Sequence, residues 1–131
     1  MKKTIVLIAA ALLIAGCGTK SNGSQTTSSV AGPQDIAITT AFVSDPPRKG
    51  INTLNVTLKD GAGTLVKGAT VRINTTMPSM SMSGPSVVAK DNGDGTYTAH
   101  LRLQYATDWQ FAVSARAAGK KGVVQLSADV K

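Results

Sequence analysis

The sequence contains no glutamate, one cysteine and one histidine among its 131 residues. Each shortage excludes something. Seven aspartates are its only carboxylate side chains. Half of the usual supply of carboxylate acids and bases is therefore missing, along with a good helix former. One cysteine cannot close an intramolecular disulfide or build a cysteine-rich zinc site. One histidine cannot supply a centre of two or three imidazoles. No G-x-S-x-G elbow accompanies the many serines, so no nucleophile constellation is visible. The glycine-rich stretches lack the G-x-x-x-x-G-K-[ST] order that cradles phosphate. The length allows one ordinary domain. No enzymatic activity is expected.

The first element present is a targeting segment. Met1-Lys2-Lys3 is a short basic stretch, and residues 4–16 are an apolar run of thirteen. That run is too short to span a bilayer, which needs about 18–20 apolar residues, but it suits a signal peptide. It ends in Ile14-Ala15-Gly16-Cys17. This resembles the lipobox of bacterial lipoproteins, whose cysteine is acylated and becomes the mature N-terminus. The resemblance implies a signal peptide over 1–16 and a diacylated, palmitate-bearing Cys17 that holds the protein to a lipid bilayer. It also implies an extracytoplasmic place in the cell envelope. In a cell with an outer membrane, Gly18 lacks the aspartate of the inner-membrane sorting rule, so the periplasmic face of the outer membrane is expected.

The formal charge of +7 is partly due to that segment. From Asp35 onward eleven Lys/Arg stand against seven Asp, a surplus of four. The cations are scattered, with doublets only at Arg48-Lys49 and Lys120-Lys121. Nucleic acid would require a clustered basic stripe with interleaved aromatics, so no nucleic-acid partner is expected. A solvated surface near anionic headgroups explains the balance.

Residues 17–34 comprise the cysteine and a Ser/Thr/Gly-rich stretch with too little apolar surface to fold alone, which is read as a tether. Residues 35–131 show alternation at period two, broken by turn signals. Inward positions are expected at Ile36, Ile38 and Phe42, then at Leu54, Val56 and Leu58, then at Ala69, Val71 and Ile73. A short strand over 86–90 follows, and Asp91-Asn92-Gly93-Asp94-Gly95 makes a tight turn. Tyr97, Ala99, Leu101 and Leu103 point inward on the next strand, with His100 outward. Trp109 to Ala115 and Val124 to Val130 complete the set. The expectation is all-β, an immunoglobulin-like sandwich of about seven antiparallel strands, with a small barrel as the alternative.

Several short motifs occur in order. They are Gly50-Ile51-Asn52, Asp60-Gly61-Ala62-Gly63, Gly68-Ala69-Thr70-Val71, Met77-Pro78-Ser79-Met80, Gly95-Thr96-Tyr97-Thr98-Ala99 and Asp108-Trp109. Together they resemble the YtkA-like domain family, related to FixH-like domains, over about 36–130. The resemblance implies an extracytoplasmic, often lipid-anchored immunoglobulin-like domain. Such domains occur alone or beside components of heavy-metal efflux and copper-oxidase assembly. Two departures stand out. Thr107-Asp108 replaces the family's glycine step before Trp109. Ser81-Met82 follows Met80 where the family often has glycine, which adds a thioether.

Residues 77–85 hold every methionine except the first, and Pro78, Gly84 and Pro85 suggest a loop. Soft thioether sulfur suits Cu(I). Met77, Met80 and Met82, with His100 as an optional fourth ligand, form the candidate metal site. Two other readings stay open: methionines folded down as core filler, or an exposed contact surface for a membrane-complex protein. A blue-copper site is excluded, because it needs a cysteine thiolate and Cys17 is expected to carry lipid. The Asp91–Gly95 turn lacks the alternating oxygen ligands of a calcium loop. The reading is a monomeric, non-enzymatic binding module, with Cu(I) handling and metal-free interaction as its two versions.

Overall fold

The computed structural model describes the backbone of residues 27–30 and the whole of residues 35–131. The expected signal segment and Cys17 lie outside the described residues. The strands are β1 (Thr27–Val30), β2 (Ile36–Phe42), β3 (Gly50–Asp60), β4 (Thr70–Met77), β5 (Met82–Val88), β6 (Lys90–Asp91), β7 (Thr96–Leu103), β8 (Asp108–Ala117) and β9 (Lys120–Asp129). A 3-10 turn over Pro78–Met80 joins β4 to β5.

The strands form two antiparallel sheets, ordered β1-β9-β8-β4-β5 and β2-β3-β7-β6. In immunoglobulin lettering, β2-β3-β7-β6 is A-B-E-D and β9-β8-β4-β5 is G-F-C-C′. The chain is therefore an immunoglobulin-like sandwich. All seven expected strands are present. Two short strands join them. The two-residue β6 carries the chain into the second sheet after β5. β1 extends the first sheet into the segment read as a tether, pairing with β9 from Thr27↔Ser127 to Val30↔Val124.

Alternation decides which face each strand buries. Leu54, Val56 and Leu58 of β3, Tyr97, Ala99, Leu101 and Leu103 of β7, and Trp109, Phe111, Val113 and Ala115 of β8 are all buried. Burying each large side chain stabilises the fold by about 1.5–3 kcal/mol relative to exposure. Phe111 ties the layers together. Its ring meets Phe42 of the other sheet edge-on at 5.3 Å and lies near-parallel to Trp109 at 6.3 Å.

The polar atoms of this core are used. The Tyr97 hydroxyl donates to the Val66 carbonyl at 2.8 Å and accepts from the Ala69 amide at 3.0 Å. It pins the β3–β4 connection to the core, and burial pushes its phenol pKa up. Asn52 clamps the β2–β3 connection, accepting from the Arg48 amide at 3.0 Å and donating to the Arg48 carbonyl at 2.6 Å. Asp60 turns the chain by accepting from the amides of Ala62 and Thr64. Gly95 needs its missing side chain twice over: φ is +90°, and a Cβ would lie 2.7 Å from that of Leu65.

The segment read as a loop over 77–85 is mostly strand. Met77 ends β4, Met82 opens β5, and only residues 78–81 turn. The inward pattern of β4 runs Val71, Ile73, Thr75, Met77. The polar Thr75 in the middle hides the continuation, and its hydroxyl is satisfied by the Pro85 carbonyl at 2.8 Å. Gly84 and Pro85 sit at an irregularity where β5 shifts register against β4. A bulged edge strand tolerates both residues.

Candidate functional site

The structure divides the three methionines. Met77 is 2% exposed, whereas Met80 and Met82 are 40% and 45% exposed. Met77 and Met82 are register partners across β4 and β5. Both line one open cleft of about 290 Å³, together with Gly84, Arg102, Tyr105 and Trp109. Met80 stands beside it on the 3-10 turn and does not line it.

The cleft exists because two sheet edges face each other there. β5 is the edge of one sheet. On the other sheet, β6 covers β7 only at Tyr97 and Thr98. Beyond them, β7 has no strand on that side among the described residues. The chain switches sheets at Ala89, between β5 and β6, and leaves an opening below the switch.

Trp109 floors this opening. Its indole N–H donates to the Tyr105 carbonyl at 3.0 Å, which fixes the ring. β5 approaches the ring closely only because residue 84 is glycine. A Cβ there would lie 2.3 Å from Thr75 Oγ1 and 2.8 Å from Trp109 Cζ3. The turn is held from outside by Ser79, whose hydroxyl donates to the Asp108 carboxylate. That bond, with a weaker one from Thr107, holds the Asp108 carboxyl below the usual range. Thr107-Asp108, which departs from the family pattern, thus ties the Met turn to β8. Ser81, at the other departure, takes a left-handed conformation with φ 51°.

His100 is not brought to the methionines. It lies on the outer face of the other sheet, opposite Thr53, with Nδ1 3.2 Å from Thr53 Oγ1. The strand neighbour that does reach the cleft is Arg102. Among the described residues no group of three His, Cys or Asp could hold a metal. Any metal in this cleft would rest on thioether sulfur. Reading the sequence alone missed Gly84, Arg102 and Tyr105 as cleft residues, and took Trp109 as core only. The Gly84-Pro85 pair was the one local signal of a close approach.

No curated protein matches the chain. Among solved structures, the soluble domain of PmoD from Methylocystis sp. ATCC 49242 (Rockwell) is similar, with a TM-score of 0.49 and 14% identity. The similarity covers 85% of this chain and 100% of that one. The sequence profile of the YtkA-like family matches residues 31–114. That is well over half of the chain, and it takes in the strands that build the cleft: the protein belongs to the YtkA-like family.

Proposed function

We propose that the protein is a lipid-anchored, extracytoplasmic binding module without catalytic chemistry of its own, and that it carries Cu(I) as cargo. The observation that carries this reading is the pairing of Met77 with Met82 across one open cleft. Thioether sulfur is a soft donor suited to Cu(I). Unlike a thiol, it forms no disulfide in an oxidising compartment. Two protein sulfurs leave a bound Cu(I) with open coordination positions, as suits a site that must pass its metal on. Met80 offers a further exposed sulfur next to the cleft. His100 is left out.

The anchor would hold the cleft near the bilayer. β1 begins at Thr27 opposite Ser127, at the end of the sandwich where β4 and β5 meet in the Met turn. Cys17 stands ten residues earlier. Ten residues reach at most about 35 Å.

The test is a competition titration of the full chain in detergent micelles with Cu(I) against a chelator. One Cu(I) per chain is expected, with binding weakened at least tenfold in a Met77→Leu/Met82→Leu variant. Equal binding by both proteins overturns the reading. The burial of Met77 favours a second reading, in which it is core filler and the exposed Met80, Met82 and Tyr105 form a contact surface for a membrane-complex protein. Absence of Cu(I) binding by the unaltered chain would leave that second reading in place. Cys17→Ala is expected to move the protein from the detergent phase to the aqueous phase on phase separation.

A further inference from the structure

We infer that the end of the sandwich carrying the Met turn rests on the bilayer surface, with Val43, Ile51 and Tyr105 entering the lipid interface beside the exposed methionines. This rests on the lipid-anchor part of the proposed function and needs no metal. Of the seven large apolar side chains exposed among the described residues, five are at this end. Val43 follows β2, Ile51 is the second residue of β3, Tyr105 lies between β7 and β8, and Met80 and Met82 belong to the Met turn. Backbone bonds sew these connections together: the Lys49 amide donates to the Lys131 carbonyl, the Lys131 amide to Pro47 and the Val130 amide to Thr107. The outer face of β3 shows the change along one strand. It runs Lys59, Thr57, Asn55, Thr53 and then Ile51, so it turns apolar only at this end. Ile51 and Val43 are the most exposed of the set, at 70% and 66%. Single apolar residues on a surface are ordinary, but several gathered at one end mark a contact.

The position of the anchor says what covers this end. β1 begins at Thr27, opposite Ser127, and Cys17 stands ten residues earlier. That gives a reach of at most about 35 Å. The opposite end lies about 20 Å further along β9, the length of the six steps from Ser127 to Lys121. Turning that end to the lipid would use more than half of the reach. It also offers a different surface, with Leu65 among charges of both signs such as Asp60, Asp94, Lys120 and Lys121. At the Met-turn end, Arg48, Lys49 and Arg102 are exposed beside the apolar side chains. Their long stems can lie along the interface while their charged heads meet headgroup phosphates. Two carboxylates here are already engaged: Asp108 accepts from Ser79 and Thr107, and Asp129 pairs with Lys131. A tyrosine with apolar neighbours and cations around it suits the boundary between lipid and water.

The experiment reconstitutes the full acylated chain in vesicles of phosphatidylcholine and phosphatidylglycerol that carry nitroxide labels near the headgroups. Ile51→Cys, Tyr105→Cys and Val88→Cys are made singly and labelled with the same fluorophore. All three positions are exposed, so no core contact is lost, and Val88 lies on β5 six residues from the Met turn. Nitroxide quenching is expected to be about twofold or more stronger at positions 51 and 105 than at position 88. Adding Ile51→Asp is expected to lower the quenching at position 105 by about half; unchanged quenching would overturn the part given to Ile51. Cys17 is the one native thiol, so the unaltered chain separates the two readings. An acylated Cys17 takes up no thiol label. Labelling there would overturn the anchor, and this inference with it. Equal quenching at the three positions, with Cys17 unreactive, would overturn the docking alone and give this end to the protein-contact reading. Stronger quenching at position 88 would also overturn it, by turning a different surface to the lipid.

Discussion

Two openings in the sandwich lie where sheet edges meet, and they are lined by different chemistry. One is the cleft between β5 and β7, of about 290 Å³, with Met77, Met82 and Trp109. The other lies between β2 and β9, of about 190 Å³, with Ile36, Ile38 and Val124 and with Asp35 and Asp60 at its mouth. Both arise from the same property of a two-sheet sandwich, whose edges cannot close perfectly. The second is aliphatic, and its carboxylates are spent on backbone: Asp60 accepts from Ala62 and Thr64, and Asp35 from Lys121. The first keeps two thioethers without such obligations, beside an indole whose N–H is given to the Tyr105 carbonyl. The fold makes openings, and side chains decide whether one becomes a site.

The glycines at the two openings separate them most sharply. Gly84→Ala drives a methyl into Thr75 and Trp109, and is expected to destabilise the fold by about 3 kcal/mol or more. Gly61→Ala meets nothing within 4 Å and has no left-handed φ, so its thermal midpoint should stay within a few degrees of the parent. Similar midpoints for both would show that β5 can retreat from Trp109.

The methionines give the next contrast. Met77→Ala removes a buried side chain and should cost about 2–3 kcal/mol in a urea denaturation. Met82→Ala, at 45% exposure, should cost about 0.5 kcal/mol or less. Equal costs would mean that Met82 is as much a part of the core as Met77.

Acid should weaken both ends through different bonds. The Asp60 carboxyl is held low chiefly by the Thr64 amide, and that of Asp108 chiefly by the Ser79 hydroxyl. A carboxyl lowered in the folded state stabilises it above the unfolded value near 4, and that stabilisation is lost as pH falls through the folded value. Ser79→Ala should therefore raise the Asp108 pKa and leave that of Asp60 unchanged in a side-chain carboxyl NMR titration. An unmoved Asp108 would show that its lowering comes from elsewhere.

The smallest effect concerns the turns. Gly63 supplies the positive φ of the Asp60 turn, while Ser81 bears one in the Met turn. Ser81→Gly should raise stability by about 0.5 kcal/mol, and Gly63→Ser should lower it by about 1 kcal/mol. Chemical denaturation of both variants measures the pair.

Much of the fold was legible because burial on a strand follows alternation. Leu54-Val56-Leu58 and Trp109-Phe111-Val113-Ala115 read correctly from their spacing alone. β1 was not legible. Thr27–Val30 shows no alternating apolar pattern, and it is a strand only because β9 offers an unpaired edge. The loop expected over 77–85 failed for a related reason. Pro78, Gly84 and Pro85 are breakers by local rule; Pro78 does turn the chain, but Thr75 and a register shift let β5 pair through Gly84 and Pro85. The cleft was half legible: the thioethers were visible as a cluster, and their division into buried and exposed was not.

The sequence by itself determined the alternation, the turns at Asp60 and Asp91–Gly95, and the three methionines close in the chain. Those are local properties, read within a few residues of each other. Only the tertiary structure decided that Met77 meets Met82, that His100 belongs to a different face, and that Gly84 lets β5 pack against Trp109. Those relations join residues up to twenty-five positions apart, from Gly84 to Trp109. They depend on strand pairing and sheet packing, for which spacing along the chain carries no signal.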